Sequence, residues 1–388
     1  MLKNRYIQSS VLKDLQEKMV FLAGPRQVGK TTLARDIIGK KLSSCYFLWD
    51  KIAQRTQALQ GEWPSDKKLI ILDEFHKFRK WKSWIKGEYD TLKTNYRFLL
   101  TGSARLAAYR RGGDSLQGRY HYYRLHPFSL AELEGKIYSQ KPGQELEFFN
   151  FNNKNFELLN KFGGFPEPLQ KQNEKHLRRW HLERIEKIIN EDVRDLTLIQ
   201  DIGNLTLLSK LLIDRASSIC SINSLAEDLH VHFNTISKWI YILEELYYCF
   251  RLSPFFSKKI LSVRKEKKIY LWDWSQVEEV SLRIENLVAQ HLLKFCHYLK
   301  DAEGWDVDLY YLRDQTGREV DFLVTLHDQP WLAIEVKQND TELSRALLYF
   351  KEKLKIPYCY QLVLKDDQDF IKNDIRVITI KKFLTALL

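Results

Sequence analysis

The run Gly24-Pro25-Arg26-Gln27-Val28-Gly29-Lys30-Thr31, followed by Thr32, has the spacing G-x-x-x-x-G-K-[ST]. Glycines at those two places let backbone N–H groups curl around an anion, and the helix that follows aims its positive dipole end at the same point. A lysine there puts a point charge on the outer phosphates of a nucleotide, and the hydroxyl of Thr31 is placed to ligate Mg²⁺. The chemistry expected is binding of a nucleoside triphosphate by residues 24–32.

A second pair of residues completes such a site. Leu69-Ile70-Ile71-Leu72 is an apolar run ending in Asp73-Glu74. An acid at the tip of that strand holds the metal with Thr31, and a following glutamate orients the attacking water, so Asp73 and Glu74 are assigned those roles. Arg97-Phe98-Leu99-Leu100 ends in Thr101-Gly102-Ser103. Thr101 or Ser103 is placed to sense the γ-phosphate, while a plain helix cap is the competing role for either. An arginine often neutralises charge on the transferred phosphoryl group. Arg105, Arg110, Arg111 and Arg119 all follow the last strand, and Arg119 in Gly118-Arg119 is favoured.

These residues need a scaffold. Val20-Phe21-Leu22-Ala23, Cys45 to Asp50, Leu69 to Leu72 and Arg97 to Leu100 read as four buried strands alternating with helical stretches. That order predicts an α/β fold, a parallel sheet covered by helices on both faces.

With these motifs in order, the chain resembles the prokaryotic AAA-type ATPases that carry a C-terminal domain of unassigned function. The resemblance rests on GPRQVGKTT (24–32), LIILDEFHK (69–77), LLTGSA (99–104), Gly118-Arg119, LHPFSLAEL (125–133) and GGFPEP (163–168). It implies ATP and Mg²⁺ as cofactors, catalytic roles for Lys30, Asp73, Glu74, Thr101 and Arg119, and a homo-oligomer, a closed ring being one form.

Beyond the first domain (1–135), residues 136–216 read as a helical connector, with an apolar stripe of Trp180, Ile185, Ile188, Ile189 and Val193 along a charged helix from His176 to Leu196. Residues 217–274 carry helix-turn-helix spacing. Ser224 to Leu229 is a short helix with Ser224 as its cap, His230-Val231-His232 a turn, and Phe233 to Leu246 a second helix whose Ile236, Ile240, Leu243 and Leu246 face a core. Asn234, Thr235 and Lys238 are left to meet a DNA groove. Between strands at Tyr248–Leu252 and Ile269–Trp272 lies a wing with Lys258, Lys259, Arg264, Lys265, Lys267 and Lys268 against Glu266. Such a run suits phosphate backbones.

Residues 275–388 run helix (281–293), strand (309–312), strand (318–324), strand (331–336), helix (343–353) and two more strands. Glu319 and Asp321 are two apart on one strand and Glu335 and Lys337 two apart on the next, so each pair shares a face while Val336 turns into the core. The order resembles the PD-(D/E)XK nucleases, a restriction-endonuclease-like fold. That resemblance implies a metal held by Asp321 and Glu335, charge stabilisation by Lys337, and Glu285 of the preceding helix as an additional acid.

The chain of 388 residues has net charge +11 and pI ≈ 9.1, which suits an anionic partner. Its five cysteines are scattered, so neither a disulfide framework nor a zinc site is expected. No apolar run approaches the roughly 18 residues of a membrane span, and a cytoplasmic protein is expected. The reading that unites these features is a Mg²⁺-dependent ATPase acting on DNA, branched or recombining DNA preferred, with a nuclease-like domain. The alternative is a nucleotide-dependent switch that binds protein partners and carries an inactive nuclease-like domain.

Overall fold

The computed structural model describes residues 4–102, 116–136, 140–193, 201–256, 266–338 and 342–388. The chain divides into two compact units, one of Met1–His126 with Glu245–Tyr247 and Asp301–Glu303, the other of the remaining residues.

The first unit is an α/β layer structure around a five-stranded sheet. Its strands are β1 (Met19–Ala23), β2 (Ser44–Leu48), β3 (Leu69–Asp73), β4 (Arg97–Thr101) and β5 (Tyr120–Arg124), in spatial order β2-β3-β4-β1-β5. Every pairing is parallel. The strands β1 and β3 are buried at every position, as the short apolar runs require of strands covered on both faces. The sequence reading found four of these strands and missed β5, whose Tyr-His-Tyr-Tyr-Arg lacks an aliphatic run. Phe21, Ile70, Leu72, Phe98 and Leu100 pack with Trp81 and Ile85 of the helix Trp81–Leu92 into one apolar core. In a parallel sheet all carboxyl ends lie along one edge, so the turns after Ala23, Asp73 and Thr101 are neighbours by construction.

The second unit begins with a helical segment that includes Asn153–Phe162, Pro166–Lys171 and Glu174–Lys187. The Gly163-Gly164 pair between the first two is obligatory. Gly163 has φ +72°, and a Cβ on Gly164 would lie 2.5 Å from the Phe128 carbonyl oxygen. The Phe128 N–H donates to the Gly164 carbonyl at 2.7 Å, joining the LHPFSLAEL and GGFPEP motifs.

A three-stranded antiparallel sheet follows, β6 (Ser218–Cys220), β7 (Cys249–Leu252) and β8 (Lys267–Leu271), ordered β6-β8-β7. It accompanies the helices Ile222–Asp228 and Phe233–Glu245. Ile236, Ile240, Leu243 and Leu246 are buried as the helical spacing predicts. The first helix starts earlier than expected: Ser221, not Ser224, is the cap, its hydroxyl accepting from the Ser224 N–H at 3.3 Å. His230 takes a left-handed turn conformation, φ +53°.

The last part is a six-stranded mixed sheet, β9 (Val307–Arg313), β10 (Glu319–Leu326), β11 (Gln329–Lys337), β12 (Tyr358–Val363), β13 (Asp369–Lys372) and β14 (Ile375–Thr379), ordered β13-β14-β12-β11-β10-β9. The helix ahead of it, Val280–Asp301, is longer than its apolar pattern suggested.

Candidate functional site

The residues 24–32 form a tight loop between β1 and the helical segment that starts at Thr32. Its turn depends on left-handed backbone at Gln27 (φ +62°) and Gly29 (φ +99°). Gly24 is required by space as well, because a Cβ there would stand 2.4 Å from the Leu125 carbonyl oxygen. Lys30 is buried and its ammonium donates to the carbonyls of Gly24 at 2.8 Å and Pro25 at 2.7 Å, so the loop curls around its own cation. Arg5, which sequence reasoning did not single out, braces the loop from below by donating to the Val28 carbonyl at 3.0 Å. Arg26 is half-buried beside it.

β3 and β4 bring the acids and hydroxyls to this loop. The Thr31 hydroxyl donates to Asp73 Oδ2 at 2.7 Å, and Tyr46 of β2 donates to the same oxygen at 2.6 Å. The Thr101 hydroxyl donates to Asp73 Oδ1 from the facing register position on β4. The expected sensor is thus engaged with Asp73, the acid expected to hold the metal, and Tyr46 is an unforeseen third support. Thr31 and Asp73 fit a Mg²⁺ ion, since a hydroxyl and a carboxylate oxygen at hydrogen-bond distance form the oxygen donor set that this ion takes.

Glu74 follows in a left-handed conformation, φ +59°, with its N–H donating to the Thr101 carbonyl at 3.1 Å. A non-glycine residue held there stores strain of about 1–3 kcal/mol, a cost found at functional sites. Burial, and then the neighbouring Asp73 charge working against Lys30, raises the Glu74 carboxyl above the ordinary range. His76 Nε2 lies 3.5 Å from Glu74 Oε2 and is itself buried. A carboxylate with raised proton affinity beside the loop is suited to taking a proton from water.

Arg119, favoured as the charge-neutralising arginine with action in cis or in trans left open, lies away from the phosphate loop of its own chain. It pairs with Asp90 at 2.8 and 3.0 Å, and its carbonyl accepts from the Met19 N–H at the start of β1. The phosphate loop leaves the other end of that strand, about 13 Å away at ~3.3 Å per residue. Arg119 therefore cannot reach a nucleotide in its own chain. Ser103, Arg105, Arg110 and Arg111 lie outside the described residues.

A second cluster lies within the other unit. Glu285, Glu319 and Asp321 converge around a residue read as a DNA contact, and the Glu335–Lys337 pair lies next to Asp321. Lys268 of β8 is buried and its ammonium is 2.7 Å from Glu319 Oε1, 3.2 Å from Glu285 Oε1 and 3.3 Å from Asp321 Oδ1. The correction has a simple cause: Lys268 and Tyr270, two apart on β8, share a face, and both side chains reach Glu285, Tyr270 through its hydroxyl at 2.8 Å. Burial pulls the lysine's proton affinity down, but the three carboxylates outweigh it and hold the ammonium charged.

Asp321 Oδ2 accepts from the Val336 N–H at 2.9 Å, and Lys337 lies 2.8 Å from Glu335 Oε1. Val336 is half-buried and Glu335 buried, the reverse of the expected alternation. Burial and then repulsion from Asp321 push the Glu335 carboxyl up to about 7 and the Glu285 carboxyl up to about 8. Among the described residues no group of three or more His, Cys, Asp or Glu is arranged to hold a metal ion. Ligation of a metal by Asp321 and Glu335 does not fit the cluster in this form, because Lys268 supplies the cation.

Of the proposed DNA contacts, Asn234 and Lys238 are exposed and Thr235 half-buried near the start of the helix Phe233–Glu245, and Lys267 is half-buried. Lys258, Lys259, Arg264 and Lys265 lie outside the described residues. Among the described residues no helix is long and apolar enough to cross a membrane.

Comparison with known proteins matches three segments of the chain. Residues 16–134 match the family model of the AAA domain. Residues 153–283 and 283–383 match two further models, each described only as a domain of unknown function. Uncharacterized proteins of Mycobacterium bovis and Mycobacterium tuberculosis are each 25% identical over 346 residues, covering 85% of this chain and 72% of theirs. Among solved structures, a Bacteroides Pif1 bound to ssDNA matches 45% of this chain and 50% of its own, with 16% identity and a TM-score of 0.24. A signal transduction ATPase with numerous domains from Pyrococcus horikoshii, which carries a tetratricopeptide repeat sensor, matches 76% of this chain and 47% of its own, with 16% identity and a TM-score of 0.26. The chain thus spans about half the length of each solved chain. Both scores are too low to bear on function. The AAA match and the geometry of residues 24–32, Asp73 and Glu74 together support an AAA-type P-loop ATPase.

Proposed function

We propose that this protein binds and hydrolyses ATP and couples that cycle to DNA. The observation that carries the ATPase reading is the 2.7 Å bond from Thr31 to Asp73, which joins the end of the phosphate loop to the tip of β3. Thr31 and Asp73 would hold Mg²⁺, which when bound supplies positive charge to the β- and γ-phosphates. Lys30 exchanges its two loop carbonyls for phosphate oxygens. Glu74 accepts a proton from the attacking water, and His76 keeps the carboxylate oriented.

The DNA reading is supported by the paired helices of the second unit, with Asn234 and Lys238 exposed at the start of the second, and by the net charge of +11. We read residues 217–274 as a winged helix and residues 275–388 as a nuclease-like domain, following residues 136–216 as connector and 1–135 as the ATPase domain. Branched DNA is the preferred substrate class, and a homo-oligomer, which could supply an arginine in trans, is the working form. Steady-state ATP hydrolysis with linear, forked and four-way DNA tests this. Stimulation by DNA supports it; ATPase activity that no DNA form alters, with no DNA binding at low salt, overturns the DNA part alone.

One observation favours the alternative, a nucleotide-dependent switch with a catalytically silent nuclease-like domain. Lys268 stands where Glu285, Glu319 and Asp321 converge, and among the described residues no cluster is arranged to hold a metal ion.

A further inference from the structure

The carboxylate cluster of the second unit encloses a buried ammonium group, that of Lys268. Four acids meet there, Glu285, Glu319, Asp321 and Glu335. The ion pairs within reach are Lys268 with the first three, Arg313 with Glu319 at 2.6 Å and Lys337 with Glu335 at 2.8 Å. Glu335 is nine-tenths buried or more, with 5% of its surface exposed, and its Oε2 has no hydrogen-bond partner.

We propose that Lys268 is a built-in counter-ion that occupies the place of a divalent metal, so that the nuclease-like site is kept metal-free until this side chain leaves. Its ammonium touches Glu285, Glu319 and Asp321 at 2.7–3.3 Å, which puts it at the point the acids share. A metal bound there would draw the same oxygens to about 2.0–2.6 Å and has no room while the ammonium stays. Because the ammonium is tethered through β8, it competes as an intramolecular ligand at high effective concentration, and free Mg²⁺ or Mn²⁺ at ordinary levels does not displace it.

This inference rests on the nuclease-like reading of the cluster and is independent of the ATPase reading. The test is Mn²⁺ binding to nucleotide-free, full-length protein, counted by electron paramagnetic resonance. Lys268→Met should gain one Mn²⁺ per chain, bound at least about tenfold more tightly than any site in the wild type. Lys268→Met with Asp321→Asn should lose it again, and Lys268→Arg should not gain it. Absence of a gain in folded Lys268→Met overturns the proposal. A second measurement does not depend on the folding of that variant: in wild-type protein, Asp321→Asn should leave the Mn²⁺ stoichiometry unchanged, and loss of a site there also overturns it. Gain of Mn²⁺ without cleavage of labelled DNA supports the role of Lys268 and counts only against nuclease activity.

Discussion

Thr31 and Asp73 lie 42 positions apart in sequence yet share a hydrogen bond of 2.7 Å, and Tyr46 and Thr101 bind the same carboxylate. Three hydroxyls on one acid fix its two oxygens before any nucleotide arrives. Charge-assisted bonds of this kind contribute roughly 1.5–3 kcal/mol each. Thr101→Val should therefore lower stability by about that amount and slow ATP turnover severalfold. Denaturant unfolding and steady-state kinetics check the two parts separately.

Gly24→Ala places a methyl group 2.4 Å from the Leu125 carbonyl oxygen and asks an alanine to adopt φ +148°. Crowding of this sort costs roughly 1–3 kcal/mol before the backbone strain is added. The expected outcome is a lowered thermal midpoint and loss of ATP binding. Unchanged binding of a fluorescent ATP analogue would show that the loop has more room than its geometry indicates.

Glu335 and Glu285 give the second unit a pH dependence with a definite sign. Both carboxyls lie above their ordinary value of 4.5 in the fold, at about 7 and about 8. The stability this confers is fully present below the unfolded value and is lost as pH rises through the folded one. Between about pH 5 and 8.5 the wild type should therefore lose more stability than Glu335→Gln, which cannot titrate there. Parallel loss in both proteins would contradict the shift.

Lys238→Glu reverses a charge on the exposed face of the helix Phe233–Glu245. If that face meets phosphate, DNA affinity should fall and the slope of log affinity against log salt should shrink by about 1. Fluorescence anisotropy at several salt concentrations measures both. An unchanged slope would remove Lys238 from the interface.

Much of the first unit was legible because its signals are local. The spacing of Gly24, Gly29, Lys30 and Thr31, the run Leu69 to Glu74 and the end of Arg97 to Thr101 each mark a strand tip, and a parallel sheet puts such tips together. β5 was missed since Tyr-His-Tyr-Tyr-Arg has neither an aliphatic run nor a strict alternation to mark it as a strand. Tyr46 and Arg5 reach the site only through tertiary packing. In the second unit the two-residue spacing gave the shared faces of Glu319 with Asp321 and of Glu335 with Lys337, while bringing Glu285 to them was what the nuclease-like resemblance implied. The position of Lys268 did not, because its neighbours in sequence are lysines and arginines, and only its two-residue spacing from Tyr270 hinted at an inward face. The place of Arg119 was not legible for a topological reason: without β5, nothing showed that it precedes a strand instead of following one.

The role of Glu74 separates binding from chemistry. Single-turnover hydrolysis of ATP in Mg²⁺ by wild type, Lys30→Ala and Glu74→Gln, with ATP binding measured in parallel, is the decisive comparison. Lys30→Ala should lose ATP binding, whereas Glu74→Gln should bind ATP within about threefold of wild type and hydrolyse it roughly 10²-fold more slowly, the lower end of what a positioned proton acceptor contributes. Equal hydrolysis by wild type and Glu74→Gln would contradict the assignment of Glu74, and undiminished ATP binding and hydrolysis by Lys30→Ala would contradict the nucleotide site itself.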